Sequence, residues 1–176
     1  RPLGSPVKKV VMVDIDAEVI EFDSKVTLEP GVTPKDIIIK AEYADFLERT
    51  HLDKLRPEQK IEFTEPGRYR VLLEHIDVHR YFLGLEKKRE IPYEEAVVSW
   101  YDNVYKPLVE TFRRLGILKR FPGRTEADLY VWVSRHLYYL RERYGPDVDL
   151  DKAVLDYAKR YRLPWLARVL NPDQPQ

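Results

Sequence analysis

The sequence predicts a mainly α-helical protein of about six helices in an irregular bundle, with a short N-terminal β element. Three observations predict it. Beyond Ala41 the apolar residues recur at the spacing of a helix buried on one face. Helix-opening residues precede these runs (Thr33-Pro34, Pro92, Thr125, Asp149), and Gly116 and Gly145 follow two of them. Alternation of apolar and polar residues, the mark of a half-buried strand, is clear only within residues 8–28.

The elements follow in order. Residues 1–6, Arg-Pro-Leu-Gly-Ser-Pro, resemble the scar of a protease-cleaved fusion and are set aside as an expression scar. Residues 7–28 are expected to be a β segment. In it Ile15, Ala17 and Val19 alternate with Asp14, Asp16 and Glu18, and the phase shifts at Ile20 and Phe22 as at a bulge. A helical domain is expected over 29–171 and a tail over 172–176. Thr33-Pro34 and Asp36 suit a first turn; Ile37 to Ile39 is ambiguous, and Ala41 to Arg49 reads as helix. Arg56 to Phe63 is a loop, and Thr64-Glu65-Pro66 opens a long helix to about Leu85.

That helix carries two apolar stripes. Tyr69, Leu72, Leu73, Ile76 and Leu83 form one; Val71, Val78 and Phe82 form another, so contact is expected on more than one side. A helix from Pro92 carries Val97, Trp100, Tyr101, Val104, Leu108, Phe112 and Leu115. Pro107 lies inside it and removes one backbone bond, which predicts a kink. In the helix over 125–144, Thr125 caps the first turn, Glu126 and Asp128 place negative charge there, and Leu129, Trp132, Val133, His136 and Leu140 recur at helical spacing. Asp149 caps a helix near 150–161 with Ala153, Val154, Tyr157 and Tyr161 inward, and Pro164 starts a short last one.

Composition narrows the function classes. The chain has 176 residues, 44% of them hydrophobic and 34% charged, with formal net charge zero. No global field therefore favours nucleic acid or anionic lipid. Residues 7–66 nevertheless hold 9 Lys/Arg against 14 Asp/Glu, and residues 110–143 hold 8 against 4, a modest basic region. Cysteine is absent, which excludes disulfides, thiolate catalysis and cysteine-bound metals. One Met, two Asn and three Gln amid abundant charge form a thermophile-like pattern. No run approaches a membrane span and no targeting signal is visible, so a cytoplasmic protein is expected.

Chemical motifs are sparse. His75 and His79 lie four apart and share a helix face, the spacing of a metal-ligand pair, with His136 the candidate third ligand. Their apolar neighbours favour hydrogen-bonded core histidines, so no metal and no cofactor is expected. Arg113, Arg114, Lys119, Arg120, Arg124, Arg135, Arg141 and Arg143, interleaved with tyrosines, are candidate nucleic-acid contacts through base stacking and phosphate pairing. Isolated glycines form no phosphate-cradling loop. Ser134 and His136, two apart on a helix, face away from each other and form no dyad. No catalytic residue is assigned.

The run Phe121 to Asp128, with a tryptophan and a histidine further along its helix, resembles a helical region in two groups of bacterial proteins. One group carries a ParB/sulfiredoxin-like domain; the other is an actinobacterial domain of unknown function attached to kinase-like proteins. Ile15 to Val19 resembles the last strand of a ParB-like domain, and Lys40 to Thr50, Leu73 to Phe82 and Trp100-Tyr101-Asp102 resemble its helical extension. The resemblance implies an upstream ParB-like domain if the chain is a fragment. The phosphate-site Gly-His-x-Arg motif of that superfamily is absent, and so is a convincing helix-turn-helix, so no functional residue carries over. The expected function is a non-catalytic helical accessory domain of a ParB-like bacterial regulator, mediating self-association or partner contact, with a homodimer through residues 8–22. The alternatives are a DNA- or other nucleic-acid-binding module using the basic 113–143 surface, and a metal-dependent enzyme through His75 and His79.

Overall fold

The computed structural model describes residues 32–57 and 61–161 as a folded, mainly helical unit. The β element expected over 7–28, the homodimer contact expected through 8–22 and the short helix expected from Pro164 lie outside these residues. Helices α1 (Pro34–Thr50) and α2 (Leu52–Leu55) are followed by α3 (Arg68–Lys87) and α4 (Tyr93–Trp100). A π-helical turn (Tyr101–Tyr105) runs directly into α5 (Lys106–Leu115), and a 3-10 turn (Ile117–Arg120) leads to α6 (Glu126–Tyr144) and α7 (Leu150–Tyr161). With α4, the π turn and α5 taken as one interrupted helix, the described residues hold six helices.

Local chemistry sets the ends. Thr33 opens α1 with a capping box: its backbone N–H donates to Asp36 Oδ2 at 2.8 Å, and its Oγ1 accepts from the Asp36 N–H at 3.3 Å. Thr125 and Asp128 repeat the device at α6, with Thr125 N–H to Asp128 Oδ2 at 2.9 Å and Asp128 N–H to Thr125 Oγ1 at 3.2 Å. The opening of α3 differs from the sequence expectation. Thr64 does not cap that helix, because its N–H and hydroxyl both donate to Asp128, at 3.2 and 2.8 Å. Helix α3 therefore begins four residues later, at Arg68, after Gly67 donates its N–H to the Glu42 carboxylate at 2.8 Å. The loop before it is anchored by Ile61 and Phe63, both buried, and by the Tyr69 hydroxyl donating to the Ile61 carbonyl at 2.7 Å.

Pro107 disrupts its helix in a particular form. The regular α-helix stops at Trp100, and the Lys106 N–H reaches back to the Tyr101 carbonyl, one residue further than an α-helix allows. Pro107 has no N–H to offer Asn103, and its ring falls where the backbone is already widened. The wide turn places Tyr101 and Tyr105 inward and stacked at 5.6 Å, while Asn103 and Val104 face outward. Gly116, at φ +61°, ends α5 in the left-handed region that glycine adopts without steric cost.

The core lies where α3 packs on α1 and α4, and where α5 packs on α6 and α7. Its largest wholly buried side chains are Trp100, Tyr130, Phe46 and Phe112. A smaller cluster of Leu137, Leu140 and Ala153 joins α6 to α7. Tyr157 is buried as its spacing predicts, whereas Tyr161, expected inward, is 51% exposed because α7 ends there. No described helix is long and apolar enough to cross a membrane.

Candidate functional site

Helix α3 is amphipathic twice over, and the structure uses only half of that. The stripe of Tyr69, Leu72, Leu73, Ile76 and Leu83 is buried against its neighbours. The second stripe is not. Val71, Val78 and Phe82 form one wall of an open groove of about 680 Å³, and Val78 and Phe82 are 56% and 61% exposed. Val131, Ser134, Tyr138 and Arg141 of α6 form the facing wall. The π turn and α5 close the side with Asn103, Val104 and Pro107. Leu85, also exposed, continues the stripe one turn further along α3. The expected contact on more than one side is met by α1, α4 and α6, and the Val78–Phe82 part of the second stripe is left open beside them.

Two histidines on α3 line this groove, and each is hydrogen-bonded at one ring nitrogen. Tyr130 is wholly buried, and its hydroxyl oxygen accepts from Trp100 Nε1–H at 3.1 Å. The hydroxyl proton must then go to an acceptor, and His75 Nδ1 lies 3.1 Å away. His75 is accordingly the tautomer with its proton on Nε2. Ser99 Oγ receives Asn103 Nδ2–H at 3.2 Å and lies 2.9 Å from His79 Nε2. That contact engages Nε2 of His79 and leaves its Nδ1 outside these bonds. Burial pushes both imidazoles down from their ordinary pKa, against a smaller upward pull from Glu74 on His75 and Glu86 on His79. Both are neutral at pH 7, and His75 presents an Nε2–H not used by these bonds.

The groove also has a one-sided charge. Its lining includes Arg68, Arg135 and Arg141 and no carboxylate. Arg68 is joined to Glu65 at 3.1 Å. Arg135 and Arg141 are exposed and form no ion pair among the described residues.

The other predicted basic residues are dispersed and mostly engaged. Arg113 makes a bidentate pair with Glu126, both bonds at 2.6 Å, and Arg114 pairs with Asp151 at 2.7 Å. Arg124 donates to Thr64 Oγ1 at 3.1 Å and to Glu65, and lies 5.2 Å over the Trp132 ring. These bonds to Arg124 and Arg68 hold the Glu65 carboxyl below the usual carboxylate range. Arg143 donates to the Tyr139 hydroxyl at 2.9 Å. Lys119 and Arg120 stand exposed on the 3-10 turn, away from α3 in sequence and unpaired among the described residues. Only Arg135 and Arg141 of the eight line the groove.

His136, the third histidine of the metal expectation, turns toward α7. Its Nε2 is 2.8 Å from Asp156, which Arg160 also contacts at 2.8 Å, and Tyr157 packs edge-on to its ring at 5.6 Å. Among the described residues no three histidine, aspartate or glutamate side chains are placed to share a metal ion. Ser134 donates to the Val131 carbonyl at 3.1 Å and is not directed at His136.

Sequence reasoning missed Tyr130, Ser99 and Asn103 as parts of the site. Tyr130 had a legible signal: it stands three and seven residues before Val133 and Leu137, on the buried face of α6. Its arginine neighbours in sequence pointed the wrong way. The Ser99–His79 contact depends on helix packing across twenty residues and leaves no local mark, whereas Asn103 reaches Ser99 over a local spacing of four.

Comparison with known proteins gives one match. The model of a family described as a domain of unknown function (DUF4032) matches residues 68–161. The stretch contains every residue that lines the groove. This match overturns the ParB/sulfiredoxin-like resemblance, because the family it identifies is a different one; the patches from Lys40 onward that suggested it are short helical stretches whose apolar spacing many helices carry. No curated protein and no solved structure matches the chain.

Proposed function

We propose that this chain, which belongs to the DUF4032 family, is a non-catalytic helical interaction domain that receives an apolar helical segment of a partner protein in the groove between α3 and α6. One observation carries the reading: the second apolar stripe of α3 faces an open groove instead of the core. Val78, Phe82 and Leu85 stand at helical spacing with more than half of their surface exposed, opposite Tyr138 at 65% exposure. Burying such a stripe contributes about 25 cal/mol per Å² of apolar surface, and a grooved wall with spaced anchors fits a helix laid lengthwise. The open rims favour a polypeptide over a small molecule, which is held by enclosure.

A selection from a library of random sixteen-residue peptides displayed on phage, run against the full chain, tests this. The expected result is enrichment of peptides with apolar residues at helical spacing that no longer bind a Val78→Asp/Phe82→Asp variant. Peptides that bind the variant as well as the original chain, or no enrichment at all, would refute it.

A further inference from the structure

Resting on that reading of the groove, we infer that the partner segment is acidic: a carboxylate on its polar edge is recognised by Arg135 and Arg141, with the free N–H of His75 as a further donor beside its apolar face. Charge complementarity points to such a segment. In a chain of zero net charge, the groove lining carries three arginines and no aspartate or glutamate. Several other arginines are matched by carboxylates: Arg113 by Glu126, Arg114 by Asp151, Arg124 by Glu65, Arg160 by Asp156. Arg135 and Arg141 lie within two turns of the same helix, line the groove and lack such a match among the described residues.

One histidine sharpens the selection. The Tyr130 hydroxyl occupies Nδ1 of His75, so the remaining nitrogen of that ring is a donor and not an acceptor. The charged and imidazole groups of the floor and rim thus offer N–H donors: one imidazole edge and two guanidinium forks. A carboxylate is acceptor-only and suits them, and a guanidinium bonds it bidentately. A lysine or arginine on the partner would meet like charge and find few acceptors. Electrostatic matching of this kind chooses among partners more than it adds raw affinity.

The test uses the enriched peptides of the same selection, synthesised with a fluorescent label and titrated with the full chain. The inference expects at least one Asp or Glu in the enriched set at a fixed offset from the apolar anchors. Replacing it by Asn or Gln is expected to weaken binding about tenfold, the scale of one desolvated charge-assisted contact. Arg135→Gln/Arg141→Gln should weaken the acidic peptide about as much and leave its amide counterpart unchanged. Binding of the acidic peptide should also fall between low and high salt, and that of the amide should not. Because both arginines are exposed, the variant is expected to fold, which circular dichroism and an unchanged melting temperature establish. Peptides that need Phe82 but show no acidic preference, or that bind the arginine variant equally, would overturn the inference and leave the groove reading standing. Peptides indifferent to Phe82 would overturn both.

Discussion

Replacing Tyr130 by Phe removes a single oxygen from the centre of the bundle, and its effect follows from what that oxygen joins. The hydroxyl accepts from Trp100 Nε1–H and donates to His75 Nδ1, each at 3.1 Å. Phenylalanine keeps the ring, which packs against Tyr105 at 4.8 Å and edge-on to Trp100 at 5.9 Å, so apolar packing is nearly conserved. The polar loss is uneven. His75 is only partly buried and recovers a partner from water, but Trp100 is wholly buried and its N–H is left with none. A buried donor without an acceptor costs about 1–3 kcal/mol, so we expect a loss of roughly 2 kcal/mol. For a chain of this size that corresponds to a fall of roughly 4–8 °C in melting temperature. Urea unfolding followed by tryptophan fluorescence measures it, with the slope of the unfolding line unchanged. A loss below about 0.5 kcal/mol, the ordinary range of a surface change, would refute the hydrogen-bond assignment and with it the His75 tautomer.

Three further outcomes are expected. Asp128→Ala should destabilise by about 3 kcal/mol in urea unfolding, because one buried carboxylate both caps α6 and holds Thr64; a change under 1 kcal/mol would contradict this double role. The folded-state pKa of His75 is lowered, so the unfolded chain binds more protons, and stability should fall as pH drops from about 6.5 through the folded value and level off below it. Unfolding measured at several pH values should show that slope flattened in His75→Gln, and an equal slope in both proteins would exclude His75 as its source. Phe82→Asp should change stability by no more than about 0.5 kcal/mol, since the side chain is 61% exposed; a loss of 2 kcal/mol would mean the groove wall is part of the core.

Much of the helical architecture was legible because its signals are local. The capping boxes at Thr33 and Thr125 need only residues three apart, and both formed as their sequences imply. The buried stripe of α3 was readable residue by residue, since a period of 3.6 fixes which side chains share a face. What was illegible depended on distant partners. Thr64 looks like a helix cap, yet Asp128, sixty-four residues away, takes its hydroxyl and delays the helix. The candidate basic surface looked continuous along the sequence, but acids from other elements pair with Arg113, Arg114 and Arg124. Linear charge counting cannot see such neutralisation.

The second stripe of α3 shows where such reading both succeeds and stops. Periodicity correctly marked Val71, Val78 and Phe82 as one apolar face, and an apolar face implies contact. It could not say with what. Within the described residues, α1 and α4 pack on α3, α6 touches it, and the groove side stays open. An amphipathic surface left over after a core is complete is costly to keep in water and prone to association. Here it is bordered by Arg135 and Arg141, which lack the acidic partners given to Arg113, Arg114 and Arg124. Two deficits at one place, apolar area without cover and cations without carboxylates, are met together by a single acidic, amphipathic helix. That coincidence is why the groove, and not the dispersed basic residues or the histidine pair, carries the functional reading.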